Sequence, residues 1–184
     1  MENSSKRWYH NVKGVANMRP IRSASCLLQR HNIVDIPVDL DFICQEEGFN
    51  VYVEDLNEFE QQHGRVISGI LFLSSGDKDI YVNHNDIPER RRFTIAHELA
   101  HYYLHHGEDN PEKGVIVSFR GERSTQEYEA DQFAAELLMP EINIREYLRD
   151  MSVPFISNLA LFFDVSKAAM RFRMDKLNLR YIDL

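Results

Sequence analysis

His97, Glu98, Leu99, Ala100 and His101 place two imidazoles four residues apart, with a carboxylate beside the first. On a helix, residues four apart share a face, so both rings project together and offer two neutral nitrogens to one metal ion. Glu98 falls about 100° around such a helix from His97, off the ligand face but within reach of a water on the ion. The chemistry this supports is hydrolysis. Zinc lowers the pKa of a bound water from 15.7 to about 7 in favourable sites, and the carboxylate takes the proton as the water attacks a peptide carbonyl.

A third ligand is expected from a second helix. Glu127 and Asp131 also stand four apart, ahead of the apolar body Phe133, Ala134, Ala135, Leu137, Leu138 and Met139. Glu127 would complete an N, N, O tripod with His97 and His101, and Asp131, one turn later, would accept the proton on the far nitrogen of an imidazole. Glu129 competes with Glu127, but an ideal helix turns it roughly 160° from Asp131. Glu136 reads as a solvated surface charge, and His105 and His106 as cations at a helix C-terminus, where the macrodipole favours them. His10, His31, His63 and His84 lack a companion ligand at helical or hairpin spacing and read as surface or core histidines.

Other elements must hold these two helices in place. Ile21, Ala24, Leu27 and Leu28 predict a helix over 21–32, and Pro37 opens a second with its body over 38–47 and Gly48 at a left-handed cap. Phe49, Val51 and Val53 alternate as in a strand, whereas the polar stretch 54–65 reads as a loop. Runs rich in β-formers at 66–73 and 79–83 flank a turn-forming stretch and predict a hairpin in a small, partly antiparallel sheet. Pro88 marks the first turn of the helix carrying 89–105, and 107–123 reads as a connection. The second ligand helix follows over 124–139, and Pro140 opens a short one. Two more, 155–163 and 166–179, surround a turn at Asp164 and Val165.

The run from Arg92, Phe93, Thr94, Ile95 and Ala96 through His101, with Glu127 to Asp131 and Phe133 to Pro140, resembles the ImmA/IrrE family of metallopeptidases. That resemblance implies a compact α+β zinc-peptidase domain at 21–150 and site-specific cleavage of a regulatory protein. It also implies a helix-turn-helix repressor encoded nearby as the substrate. Two positions depart from the family pattern, Ala100 where relatives often have Gly and Asp131 where many have Asn. Neither removes a ligand: Ala suits a helix better than Gly, and Asp still accepts a histidine proton. A different reading, a metal-binding transcriptional regulator or toxin-antitoxin component acting on DNA or a partner, is weighed against Glu98. A structural zinc site is usually closed by four protein ligands and has no use for that acid.

The 184 residues fit one catalytic domain with a small appendage, and the net charge of -8 argues against a whole-surface affinity for nucleic acid. Residues 1–20 read as an arm, and 151–184 as a helical segment packed on or following the peptidase domain. Ser166 is placed to cap the second helix of a helix-turn-helix-like pair, where Lys167, Arg171, Arg173, Lys176 and Arg180 outnumber the acids. Packing or substrate docking is preferred there over DNA recognition, because Phe172, Met174, Leu177 and Leu179 call for burial. Cys26 and Cys44 lack the close pairing of metal or redox motifs and read as buried structural thiols. No apolar run approaches the roughly 20 residues of a membrane span, and the first 20 residues carry no signal-peptide core, which predicts a cytoplasmic protein.

Overall fold

The computed structural model describes residues 22–74, 77–106, 114–149 and 153–183. Among these, the elements run α1 (Ala24–Arg30), α2 (Leu40–Glu47), β1 (Asn50–Glu54), α3 (Asn57–His63), β2 (Ile67–Leu73) and β3 (Lys78–Asn83). They continue with α4 (Pro88–Tyr103), β4 (Val115–Phe119), α5 (Thr125–Leu138), α6 (Glu141–Tyr147), α7 (Ile156–Phe163) and α8 (Lys167–Lys176). This is the expected α+β class, with helices after the sheet region. The arm predicted over 1–20 lies outside the described residues. Among the described residues, no helix is long and apolar enough to cross a membrane.

Where capping chemistry is written into the sequence, the helices begin beside it. Ser23, Asp39, Ser124 and Ser166 each accept a hydrogen bond from a backbone N–H of the turn they precede, a contact typically worth about 1 kcal/mol. Gly48 ends α2 in the left-handed conformation, and Pro88 occupies the first turn of α4. Two elements correct the sequence reading. Helix α3 replaces the loop expected over 54–65; it buries none of its residues and has no side-chain cap, so no apolar period marks it. Strand β4 lies within the connection expected over 107–123, where the β-branched run Val115, Ile116 and Val117 is short and set among polar residues.

The strand order is β1-β3-β2-β4, with β2 antiparallel to both neighbours and β1 parallel to β3. Alternation sorts the sheet into two faces. Leu71, Ile80 and Val82 join the main core, while Ile70 packs on the other side with Ile67, Leu56, Tyr81, Val117 and Phe119. Between Ile67 and Gly69 the ladder with β4 slips: Ile67 faces Phe119 and Gly69 faces Ser118, leaving Ser68 as an extra residue. This bulge puts Ile67 on the same side as Ile70, three positions away, and turns Gly69 with Leu71 toward α4.

The main core joins α1, α2, α4, α5, α7 and α8 around Leu27, Ile43, Leu99, Leu137, Leu138 and Phe163, all essentially without exposure. Helix α4 packs on β2 and β3 on one side and on α5 on the other; α5 in turn meets α1 and α8. Cys44 is buried as expected, with burial and the nearby Asp41 pushing its thiol up to about 12. Cys26 is exposed, which corrects the reading of two buried thiols: Ala24, Leu27 and Leu28 take the inward side of α1.

Glu47 ties this framework together at the end of α2. Its carboxylate accepts from His31 Nε2 at 2.7 Å and Arg30 Nη1 at 3.3 Å, and its backbone carbonyl accepts from Lys78 Nζ at 2.6 Å. Burial works against its charge, but the bond from His31 and the Arg30 guanidinium prevail and hold the carboxyl below its ordinary range. A carboxyl so lowered stabilises the fold fully above about pH 4.3, the unfolded-state value, and loses that contribution as pH falls through the folded-state value. Replacement Glu47→Gln is therefore expected to cost about 1–2 kcal/mol in denaturant unfolding at neutral pH. The gap to wild type should narrow in acid, and a gap unchanged by acid would show that charge is not what Glu47 contributes.

Candidate metal centre

Helix α4 presents its motif in an enclosed setting, since every residue from Thr94 to His101 is buried. Arg92 braces its N-terminal half: Nη2 donates to the Val38 carbonyl at 3.0 Å, and Nε donates to the Asp164 carbonyl at 3.2 Å and pairs with its carboxylate at 3.0 Å. Ala96 and Ala100 on α4 and Ala130 and Ala134 on α5 have no exposure, and such small side chains let the two helices approach closely. Ser124 starts α5 so that Glu127 sits in its first turn, where the helix dipole favours a carboxylate.

The two helices bring three donors together. His97 Nε2 and His101 Nε2 lie 3.0 Å apart, and the Glu127 carboxylate stands 3.1 Å from the first and 3.2 Å from the second. Donor atoms bonded at about 2.0–2.1 Å to one tetrahedral ion stand about 3.3 Å apart, so the spacing fits such an ion. Among the described residues, His97, His101 and Glu127 form the one group of this kind. The electrostatics also draw positive charge into the site. Burial disfavours a His97 cation, yet the bonds its ring donates to Asp131 and Glu127 raise its pKa to about 10. Burial likewise opposes a charged Glu127, and the two histidines hold it down at about 2.

Asp131 Oδ1 accepts from His97 Nδ1 at 3.0 Å, the far nitrogen of the ring whose Nε2 joins the tripod. Glu129 is not in the cluster; it bonds His106 instead, at 3.1 Å. Glu98 has no exposure, and neither of its oxygens has a hydrogen-bond partner. Burial and the charge of Glu127 push its carboxyl up to about 7, against the pull of His97 and of Ser118, whose own buried hydroxyl is unpaired. A partnerless buried carboxylate beside two imidazoles and a third donor fits a site built around a cation and a water.

Beside the cluster, a cleft of about 190 Å³ is lined by Arg90, Phe93, Thr94 and His97 of α4, Ser118 and Phe119 of β4, Glu127 and Asp131 of α5, and Ser68, Arg120, Gly121 and Glu122. Three contributors were not read from the sequence. Ser118 belongs to the missed strand, and His106 was assigned only to the helix end. Gly69 is the third: a Cβ there would stand 2.5 Å from Thr94 Cγ2 and 2.6 Å from Glu98 Oε1. A glycine inside a strand run is the available signal, because it marks a bulge or a close approach.

The IrrE N-terminal-like domain model matches residues 44–175, a stretch that contains both ligand helices, β4 and α7. The chain belongs to this family. It is also 41% identical over 71 residues to the radiation response metalloprotease IrrE of Deinococcus radiodurans, a match covering 38% of this chain and 21% of that protein. The chain thus spans about a fifth of the length of that relative. Membership in the IrrE-like family agrees with the resemblance drawn from residues 92–101 and 127–140.

Alanine variants test the donor set. The purified chain is expected to carry roughly one equivalent of metal, which His97→Ala, His101→Ala and Glu127→Ala should each lose and Glu129→Ala should keep. Asp131→Ala should weaken affinity by about 10 to 100-fold. Metal analysis showing the reverse order for Glu127 and Glu129 would put the wrong carboxylate in the tripod. Gly69→Ala is expected to keep metal but impair hydrolysis, because the added methyl displaces Glu98 or Thr94. Full activity in that variant would show that the strand tolerates a side chain there.

Proposed function

We propose that this chain is a zinc-dependent endopeptidase acting on a regulatory protein, a helix-turn-helix repressor encoded nearby. The observation that carries this reading is Glu98, a carboxylate without exposure or partner beside an N, N, O donor set. Its burial outweighs the pull of His97 and Ser118, and a metal site serving structure alone has no need of it. The family match and the name of the D. radiodurans relative lend the reading its reaction class.

A zinc ion held by His97, His101 and Glu127 would supply a Lewis acid that lowers the pKa of a water from 15.7 to about 7 in favourable sites. Glu98 provides the proton transfer. With its proton affinity near neutrality, its carboxylate takes the proton of the attacking water and passes it to the amide nitrogen of the leaving strand. Asp131 keeps the His97 ring in the tautomer that turns Nε2 toward the tripod. Buried walls from α4 and β4 limit water around these groups.

The reading extends to the C-terminal helices, assigned here to packing or substrate docking in preference to DNA. Arg173 Nε donates to the Met139 carbonyl at 2.9 Å, Arg171 pairs with Asp183, and Lys176 bonds the Tyr128 hydroxyl. These cations are thereby engaged within the chain. A repressor substrate also places the protein in the cytoplasm.

Glu98→Gln is expected to keep fold and zinc while cutting turnover by about 10² to 10⁴, since the amide preserves shape but cannot accept the proton. Co-expression with the neighbouring repressor-like protein, followed by mass spectrometry of fragments, reads the outcome. Near-normal cleavage by the variant would remove Glu98 from its role. An intact neighbour together with a salt-sensitive DNA complex requiring Arg171 and Arg173 would put the regulator reading in its place.

A further inference from the structure

The two histidines of the tripod are supported in different ways. His97 donates from Nδ1 to a carboxylate, Asp131. At His101 the corresponding nitrogen lies 2.9 Å from Nδ1 of a third imidazole, His106, whose Nε2 lies 3.1 Å from Glu129 Oε2. We propose that His106, anchored by Glu129, is the positioning residue for His101, fixing its ring and tautomer for metal binding. This rests on the metal reading above.

Local backbone geometry brings His106 to this place. Helix α4 stops at Tyr103, and His105 adopts the left-handed conformation at φ 59°, uncommon outside Gly although His, like Asn and Asp, enters it more often than most residues. That turn folds the chain back, and the His106 N–H donates to the His101 carbonyl at 3.0 Å. The His106 ring then lies beneath that of His101, with centroids 5.0 Å apart and planes at 68°, an angle that lets Nδ1 meet Nδ1. His106 is 8% exposed, so little water reaches its ring.

Proton counting fixes the direction of every bond in this chain. A metal bound at His101 Nε2 requires a lone pair there, so the neutral ring carries its proton on Nδ1 and donates it. His106 Nδ1 must then accept, which leaves the His106 proton on Nε2, and Glu129 receives it. Each of the three groups has one role, and reversing any one leaves two lone pairs or two protons facing each other. Glu129, two residues past Glu127, thereby serves the same centre from the opposite end of His101.

The test uses purified wild type and variants stripped of metal, with zinc affinity read by chelator competition and folding by thermal unfolding of the metal-free chain. His106→Leu removes the acceptor and is expected to weaken zinc binding by about 10 to 100-fold. His106→Asn sets an amide oxygen where Nδ1 stood and should recover most of that loss. Glu129→Gln, which leaves the acceptor in place, should lose less than His106→Leu. Ring-nitrogen NMR of the zinc-loaded wild type supplies a readout that needs no variant: protons on His101 Nδ1 and His106 Nε2, none on His106 Nδ1. Wild-type affinity in His106→Leu, an asparagine variant as weak as the leucine one, or the opposite His106 tautomer would overturn the proposal. A wild-type chain that binds no zinc would overturn the metal reading and this inference with it.

Discussion

Holding four ionisable side chains from two helices in one enclosed space governs much of this architecture. Two imidazoles 3.0 Å apart cannot both point a proton at the other, and the charge of Glu127 raises the proton affinity of Glu98 beside them. Such a cluster is tolerable only when positive charge balances it and when its geometry cannot relax. The fully buried alanines of α4 and α5 serve the second condition, because larger side chains in so close-packed a core would push the two helices apart. The Arg92 bonds to Val38 and Asp164 meet it at the other end, tying α4 to the approach to α2 and to the end of α7. Helix α4 is thus fixed by parts of the chain far from it in sequence.

The sheet contributes through its irregularity more than through its regular pairing. A straight β2 would carry its alternation unbroken, and the bulge at Ser68 changes parity so that Gly69 and Ser118 meet beside Glu98. Backbone approaches where a side chain would ordinarily stand, and the Glu98 carboxylate fills the resulting space. Its raised proton affinity follows from this confinement together with the charge of Glu127. Strand β4 is needed for the same reason, since Ser118 is the hydroxyl that faces the buried acid.

Legibility in the sequence tracked the range of the interaction. His97 with His101, and Glu127 with Asp131, are related by one turn of helix, and the structure places each pair on a shared face with Glu98 to one side, as helical geometry requires. Caps at Ser124 and Ser166 and the left-handed Gly48 are equally local. Helix α3 and strand β4 were not read, because the first buries nothing and the second exists by pairing with the edge of β2. Gly69 carried a signal only in being a glycine inside a strand run. His106 carried none: its position depends on a left-handed His105, a conformation that no glycine announces.

The C-terminal helices show why helical spacing alone is weak ground for a function. Two short helices around a left-handed Asp164 have the lengths and turn of a DNA-reading motif, yet the same features arise wherever two helices pack as a corner. What separates the cases is where the side chains go. Ile156, Leu159, Phe163, Met170 and Met174 enter the same core as α4 and α5, and the family match runs through α7 into α8. Arg173 reaches the carbonyl of Met139 at the end of α5, and Lys176 reaches Tyr128, the neighbour of Glu127. Two of the basic residues that give the pair a DNA-like composition, Arg173 and Lys176, thus hold the helix that carries Glu127.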